Sequence, residues 1–224
     1  MASSHSAPPA ELETPLELNP SDWDAQQTYY LLTGLVIPRP IAWVSTVATD
    51  GTLNLAPHSY FNAIASAPPH VMFSSTGVKD TLRNVTATKE FVVNIVGMDQ
   101  VEKMNFTATD FPAEEDEFAW AHLEQAASSS VRPPRVKAAK AHLECQLVEV
   151  VPVGNSNLVI GEVVHFHVDP SVWRAGRVDA GLLNPVCRLS GSGYAGLGDL
   201  FKLPRPKWAD VSGSSGLERM PRRG

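Results

Sequence analysis

Short apolar runs separated by polar turns make up most of the central part of the chain. They cover residues 41–49, 52–65, 70–76, 90–97, 141–154 and 158–168, and they are rich in the Val, Ile and Phe residues that favour strands. Asp50 and Gly51 form a dipeptide typical of a tight hairpin turn between the first two runs, and residues 155–157 separate the last two. The pattern predicts a succession of antiparallel strands joined by hairpins.

Helical patterns are fewer and shorter. One is predicted over residues 21–34, beginning at a Ser21 cap, and a second begins near Asp80. A third lies over residues 98–106, where Asp99 and Glu102 have the spacing of a capping box. Many strands with a few interspersed helices indicate a mainly β fold with a closed or sandwiched antiparallel sheet, and not a doubly wound α/β fold.

Three glycines near the end of the chain have the spacing of a dinucleotide-binding turn. They are Gly191, Gly193 and Gly196. Such a turn must follow a strand, open a helix and lie inside a βαβ unit, and too little chain follows these glycines to complete one. We therefore interpret them as part of a tight loop.

Composition and charge narrow the classes of function. The 224 residues are 43% hydrophobic and carry a net charge of −6, with 18 basic and 24 acidic residues. This charge argues against a nucleic acid or an anionic membrane as partner, and the chain has neither a membrane-spanning run nor a signal-peptide core. We expect a cytoplasmic protein with one domain at residues 21–208 between flexible tails at 1–20 and 209–224.

The segment at residues 73–84 has the features of a phosphate site. Hydroxyl groups end a strand at Ser74, Ser75 and Thr76, and Lys79, Asp80 and Thr81 then lead into a helix. Hydroxyls, a lysine and the free amides of a helix N-terminus together suit a phosphate monoester. We expect Asp80 to cap the helix or to orient Lys79. The alternative is an ordinary polar turn.

A second segment combines two prolines with an arginine. Pro38 and Pro40 flank Arg39, and the strand that follows ends on Ser45 and Thr46. The prolines stiffen the approach to the strand. Arg39 is therefore either part of a rigid ligand wall or a surface ion-pair partner.

Several ordered motifs, taken together, resemble a known family. "PRPIAWVST", "DGTLNLAPHSYFNAIASAPPHVMFSS", "KDTLRNV" and "EFVVNIV" are followed by "PPRV", "HLECQLVEVV", "LVIGEVVHFHVD" and "LNPVCRLSGSGYAGLGDLFKLPRP". These stretches are similar to the flavin reductase-like, FMN-binding split-barrel family, which includes flavoredoxin-type proteins. The resemblance implies a six-stranded antiparallel Greek-key barrel with flanking helices. It also implies a homodimer that binds FMN at the subunit interface.

The resemblance also assigns site residues. It places Ser45 and Thr46 against the flavin, the loop of Ser59, Tyr60, Phe61 and Asn62 at the ring edge, and Arg188 and Tyr194 where the site closes. The phosphate would be held by the group already identified from its chemistry: Ser74, Ser75, Lys79, Asp80 and Thr81.

The function that follows is an FMN-dependent oxidoreductase that exchanges electrons with NAD(P)H or another donor. Two alternatives remain open at this point. One is a non-catalytic electron carrier, and the other is an enzyme that uses bound FMN on a small organic substrate. We identify no catalytic side chain and expect no metal, because the flavin supplies the reactivity.

Other polar residues have simpler interpretations. Asn94 is either a hydrogen-bonded core residue or a flavin contact, and Trp43 is expected in the barrel wall. His165, His167 and Asp169 share a strand face, as exposed residues or as a metal site.

We expect residues 113–118 ("AEEDEF") to be a solvated acidic loop. Cys145 is expected to pack in the core, and Cys187 lies nearer the expected site.

Overall fold

A computed structural model of the chain describes residues 15–208 and residue 212. The expected tails at 1–20 and 209–224 lie largely outside the described residues. Among the described residues, no helix has the length and apolar character needed to cross a lipid bilayer.

Seven antiparallel strands form the main sheet. They are β1 (Ala42–Val47), β2 (Leu53–His58), β3 (Phe61–Ser66), β4 (Pro69–Thr76), β5 (Glu90–Ile95), β6 (Ala141–Val153) and β7 (Ser156–Val168). Their order across the sheet is β2-β1-β5-β6-β7-β4-β3. The expected hairpins β1–β2 and β6–β7 are both present.

The two edge strands of this sheet, β2 and β3, are consecutive in the chain. Only Ser59 and Tyr60 separate them. Strands lie about 4.8 Å apart, so the edges of a flat seven-stranded sheet would be about 29 Å apart. The link spans three Cα–Cα steps and reaches about 11 Å at most. The sheet therefore has to curl into a barrel, and the link lies at the junction of its edges.

The strand count differs from the six that the resemblance implies. The predicted run at 52–65 is divided at Ser59 and Tyr60 into two strands, which pair with opposite ends of the sheet order. Hydrophobic alternation alone does not locate such a break, because both halves have the composition of a strand.

Within the described residues, five α-helices of four or more residues accompany the sheet. They are α1 (Ala25–Leu35), α2 (Asp80–Thr88), α3 (Val101–Phe106), α4 (Glu117–Trp120) and α5 (Ala180–Leu183). Short 3-10 turns lie at Pro20–Asp22, Met98–Gln100 and Pro170–Val172.

Two of the predicted helix starts were wrong. The cap of α1 is Asp24, which forms a capping box with Gln27, and Ser21 lies in the preceding 3-10 turn. The capping box of Asp99 and Glu102 does not form, because residues 98–100 adopt the tighter 3-10 turn before α3 begins.

Three small sheets of two-residue strands complete the described chain. They pair Arg39–Pro40, Cys187–Arg188 and Tyr194–Ala195; Gln125–Ala126 with Arg135–Val136; and Trp173–Arg174 with Arg177–Val178. Gly191 and Gly193 lie in the hairpin between Cys187–Arg188 and Tyr194–Ala195, and Gly196 directly follows it; Gly191 has a φ of 57°. The interpretation as a tight loop is confirmed.

The strand β1 lies between two hydrophobic clusters. Ala42 and Val44 pack with Phe73 and Phe91 in one cluster, which also contains residues of α2. Trp43 packs in the other cluster with residues of α3 and α4. The alternation of side chains along a strand thus attaches the helices to both faces of β1.

Candidate functional site

A groove of about 530 Å³ lies beside the link between β2 and β3. Its walls are the ends of β2 and β4, the first turn of α2, the link itself and residues 107–111. The volume is within the ordinary range for small-molecule sites, about 300–1,000 Å³. The barrel closure thus creates this groove at the point where both sheet edges end.

The five residues predicted to hold a phosphate all line this groove. They are Ser74, Ser75, Lys79, Asp80 and Thr81. The first amides of α2 have no acceptor within their own helix, and no described side chain caps them. The groove therefore combines hydroxyl groups, a lysine and the positive end of a helix dipole.

The charged residues at this end are arranged differently from the prediction. Lys79 forms an ion pair with Asp110 at 2.7 Å, with both side chains largely exposed. Asp80 neither caps α2 nor orients Lys79; it pairs with Arg83, which lies one helical turn further on. Arg83 also lines the groove and is a second cation that the sequence pattern did not reveal.

A buried carboxylate forms part of the groove. Glu117 accepts hydrogen bonds from Asn54 Nδ2 at 2.8 Å and from the Leu55 amide at 2.9 Å. Asn54 Oδ1 in turn accepts from Thr81 Oγ1 at 2.9 Å. Burial raises the pKa of the Glu117 carboxyl above its usual range, against the effect of these hydrogen bonds. This network connects α4, β2 and α2 beneath the groove.

The expectation of a solvated loop at 113–118 was wrong for its last two residues. Glu117 and Phe118 are buried in α4, and Asp116 caps that helix. A run of acidic residues in the sequence does not show that one of them accepts hydrogen bonds from an asparagine side chain and a backbone amide of a distant strand.

Two buried polar atoms of groove-lining residues have no hydrogen-bond partner among the described residues. They are Ser75 Oγ and His58 Nε2. His58 Nδ1 lies 3.3 Å from the Ser74 carbonyl, which can only accept, so Nδ1 carries the proton and Nε2 is an acceptor. Buried polar groups are normally paired, so these two suit a site that a ligand or water completes.

A second cavity, of about 560 Å³, lies on the other side of the link. The two cavities share five lining residues: Ser59, Tyr60, Ser74, Asn155 and Ser156. Phe61, Asn62 and Arg39 line only the second one, together with apolar residues of α1, β4 and β7. The predicted loop at 59–62 is therefore the partition between two adjoining cavities.

Arg39 is buried rather than a surface ion-pair partner. Its Nη1 donates to the carbonyls of Thr33 and Val36, and its Nη2 donates to the carbonyl of Leu189, each at 2.7 Å. Thr33 and Val36 lie at the C-terminal end of α1, where a cation is favourable to the helix dipole. Arg39 thus fastens α1 to the late loop of the chain.

Ser45 and Thr46, predicted to face the flavin, line neither cavity in the described chain. Neighbouring residues of a strand point to opposite faces, and both side chains are completely buried. Ser45 Oγ donates to the Pro134 carbonyl at 2.6 Å, and Thr46 Oγ1 accepts from Asn84 at 3.0 Å. Their hydroxyls therefore form hydrogen bonds within the structure of the barrel wall.

Arg188 and Tyr194 are likewise absent from both cavity linings. They face each other across the hairpin, with the guanidinium 4.5 Å from the ring centroid. Arg188 also donates to the Gly191 carbonyl, and Tyr194 donates to Asn105 of α3 at 2.9 Å. This pair anchors the late loop to α3 and brings neither residue to the groove.

The polar residues of the strands serve mainly structural roles. Asn94 bonds to the Trp43 carbonyl and the Val136 amide, which makes it a hydrogen-bonded core residue. Trp43 is buried, as expected, and donates to Thr107. Cys145 is buried, and burial raises the pKa of its thiol.

Two of the three residues considered as a metal site have other partners, although the rings of His165 and His167 lie next to each other, with centroids 4.6 Å apart. His167 bonds to the buried carboxylate of Glu144, and Asp169 accepts from the Ser171 amide as the cap of a 3-10 turn. No cluster of three or more His, Cys, Asp or Glu side chains suited to a metal ion is found in the described part of the chain. The sequence pattern gave no sign of the role of Glu144.

The chain matches the family model of the flavin reductase like domain over residues 34–181. This range contains all seven strands of the barrel and the groove-lining segments named above.

Three solved structures are similar to the whole barrel. Nitrilotriacetate monooxygenase component B from Bacillus cereus is 40% identical, with a TM-score of 0.82 over 85% of this chain and 99% of that one. The 2-nitrobenzoate 2-nitroreductase from Pseudomonas fluorescens is 30% identical, with a TM-score of 0.80 over 86% and 98%. A Shewanella frigidimarina protein with a split barrel domain is 21% identical, has a TM-score of 0.74 over 83% and 96%, and shows the same fold. The mainly β split-barrel fold is thus confirmed.

We expect the free energy of unfolding to fall as the pH is lowered from about 6.5 to 4, with His58 as one cause. Burial lowers the pKa of His58 to about 4. In this interval the unfolded chain binds a proton that the folded chain does not, which costs about 1.4 kcal/mol per pH unit. In urea denaturation across this range, His58→Asn should reduce the slope of stability against pH by about that amount.

The exposed His122 provides the matched control, and His122→Asn should leave the slope unchanged. Burial also lowers the pKa of His142 to about 4, so part of the slope persists in both variants. A His58→Asn protein with the full slope of the wild type would show that His58 does not titrate in this way.

Proposed function

Because this chain belongs to the flavin reductase-like family, we propose that it is an oxidoreductase that binds FMN in the groove and takes electrons from NADH or NADPH. The observation that carries the proposal is that one end of the groove has the features of a phosphate-binding site. There the uncapped start of α2, the cation Lys79 and the unpartnered hydroxyl of Ser75 line one wall.

The residues of this wall fit a phosphate monoester. Ser75 would donate its hydroxyl proton, the first amides of α2 would donate theirs, and Lys79 and Arg83 would balance the charge. Lys79 and Arg83 are both paired with carboxylates, and a dianion would compete with Asp110 for Lys79. Thr81 already donates to Asn54, so its oxygen has only acceptor capacity left. Its role is to position α2.

The flavin ring would lie along the link of Ser59 and Tyr60. Bound FMN would supply the redox chemistry, accepting a hydride from the nicotinamide and passing on the electrons. The protein's part is to hold the ring and to limit access of water. His58 offers an acceptor at Nε2 and remains neutral at physiological pH, since burial lowers its pKa to about 4.

A second candidate function is the direct reduction of a small organic substrate. The similarity to 2-nitrobenzoate 2-nitroreductase, at 30% identity over 86% of the chain, supports it. The apolar cavity next to the groove would provide a place for such a substrate. The similarity to a monooxygenase component instead favours a reductase that serves a partner enzyme.

We also propose that two copies of the chain associate through α1. Several large apolar side chains at its C-terminal end are exposed, including Leu32 at 49%, Leu35 at 74% and Val36 at 54%. Leu32 and Val36 also line the second cavity, so a second copy would enclose it.

Light scattering should show a dimer, and Leu35→Glu should weaken it. A monomer that binds FMN at full stoichiometry would contradict a shared site.

Lys79→Ala should weaken FMN binding by about ten- to a hundredfold and hardly change riboflavin binding. A charge-assisted hydrogen bond contributes about 1.5–3 kcal/mol, and riboflavin lacks the phosphate. Titration by quenching of flavin fluorescence measures both affinities.

Asp110→Asn is the matched control, with the opposite sign. It frees Lys79 from its carboxylate partner and removes a negative charge from the groove, so FMN binding should tighten. Equal losses of FMN and riboflavin affinity in Lys79→Ala would place the lysine at the ring or in the fold, and not at the phosphate.

NADH or NADPH should reduce the bound flavin, and the KM for the nucleotide should be high. The main sheet described here is antiparallel, so it offers no βαβ unit to hold the dinucleotide, and the nicotinamide would have to stack in an open cleft. Anaerobic stopped-flow at millimolar concentrations of each nucleotide would follow bleaching of the flavin. If neither nucleotide bleaches it, the reductase proposal fails and the electron-carrier alternative gains.

A further inference from the structure

We propose that the second cavity binds a small organic acid, with its carboxylate on Arg39 and its apolar body against the cavity walls. The inference deepens the proposed function, on which it rests, by assigning a substrate class to the cavity next to the flavin groove. It depends on three features: a buried cation, an apolar lining and a common wall.

The first feature is the isolation of the Arg39 charge. Arg39 is 5% exposed, and none of the described residues forms an ion pair with it. The partial charges of three carbonyls replace only part of the hydration that a guanidinium loses on burial. A buried cation without a carboxylate favours an anionic ligand.

The same guanidinium has donor groups that no described residue satisfies. The described hydrogen bonds use both protons of Nη1 and one of the two on Nη2, and Nε is buried without a partner. Nε and Nη2 are the two nitrogens of one edge of the planar group. This edge matches the two oxygens of a carboxylate.

The lining determines what the rest of the ligand is like. Leu32, Val36, Phe61, Met72 and Leu158 give the cavity apolar walls. One guanidinium balances the single charge of a carboxylate. A phosphate dianion would keep an unbalanced charge among these side chains, whereas the groove beside α2 has two cations for it.

The common wall connects this ligand to the chemistry. Tyr60 lines both cavities, and its ring centroid lies 5.9 Å from Arg39 Cζ. A ligand in the second cavity would therefore lie one side chain away from the groove, across residues that line both cavities. That position suits a molecule that exchanges electrons with a flavin held on the same link.

The experiment compares benzoate with its neutral isostere benzamide on the wild-type protein by ligand-observed NMR, with and without FMN. Benzoate should bind about ten- to a hundredfold more tightly, the range expected for a charge-assisted hydrogen bond. Equal affinities, or inorganic phosphate displacing benzoate at equal concentration, would overturn the proposal. Benzoate selectivity in a protein that fails to bind FMN would refute the proposed function and leave this inference standing.

Two variants complete the test, with one control. Met72→Trp fills the cavity and keeps Arg39, so it should abolish benzoate binding. Met98→Trp is the control, because it places the same side chain at a methionine outside both cavity linings and should leave benzoate affinity unchanged. Arg39→Lys keeps the charge but loses the two-pronged edge, so the preference for benzoate over benzamide should fall. Unchanged benzoate binding in Met72→Trp would overturn the proposal.

Discussion

The two-residue link between β2 and β3 is the constraint on which the rest of the structure depends. It joins the opposite edges of a seven-stranded sheet, so the sheet has to close. Closure is held by polar contacts across the junction. The Ser74 amide donates to the Tyr60 carbonyl at 2.8 Å, and His58 reaches the Ser74 carbonyl. Both cavities lie where the edges meet, and the link forms part of the wall between them.

The two cavities differ in the exposure and the pairing of their cations. The groove beside α2 has cations at its surface, Lys79 and Arg83, each paired with a carboxylate that a stronger anion can displace. The second cavity has a single buried cation, Arg39, fixed by backbone carbonyls. The exposed, paired cations suit a phosphate that binds from solvent. The buried cation, which has no carboxylate partner among the described residues, suits discrimination between charged and neutral ligands.

Much of the candidate site was predictable because its chemistry is local. Ser74, Ser75, Lys79, Asp80 and Thr81 lie within eight consecutive positions, and the strand-to-helix turn that carries them brings them together without long-range contacts. The pairs that formed elsewhere were not predictable. Asp80 pairs with Arg83 instead of capping α2 or orienting Lys79, and Glu117, expected in a solvated loop, pairs with Asn54 of a distant strand.

By itself the sequence determined the order of the strands along the chain, the hairpins, the mainly β class and the phosphate-like turn, because periodicity and turn chemistry act over a few residues. Only the tertiary structure decided that the run at 52–65 breaks and closes the barrel, and that Ser45 and Thr46 are buried in its wall. It alone decided that Arg39 lies beside a cavity rather than in solvent. These outcomes depend on which strands become neighbours and which polar groups lose water together, and residues far apart in the chain set both.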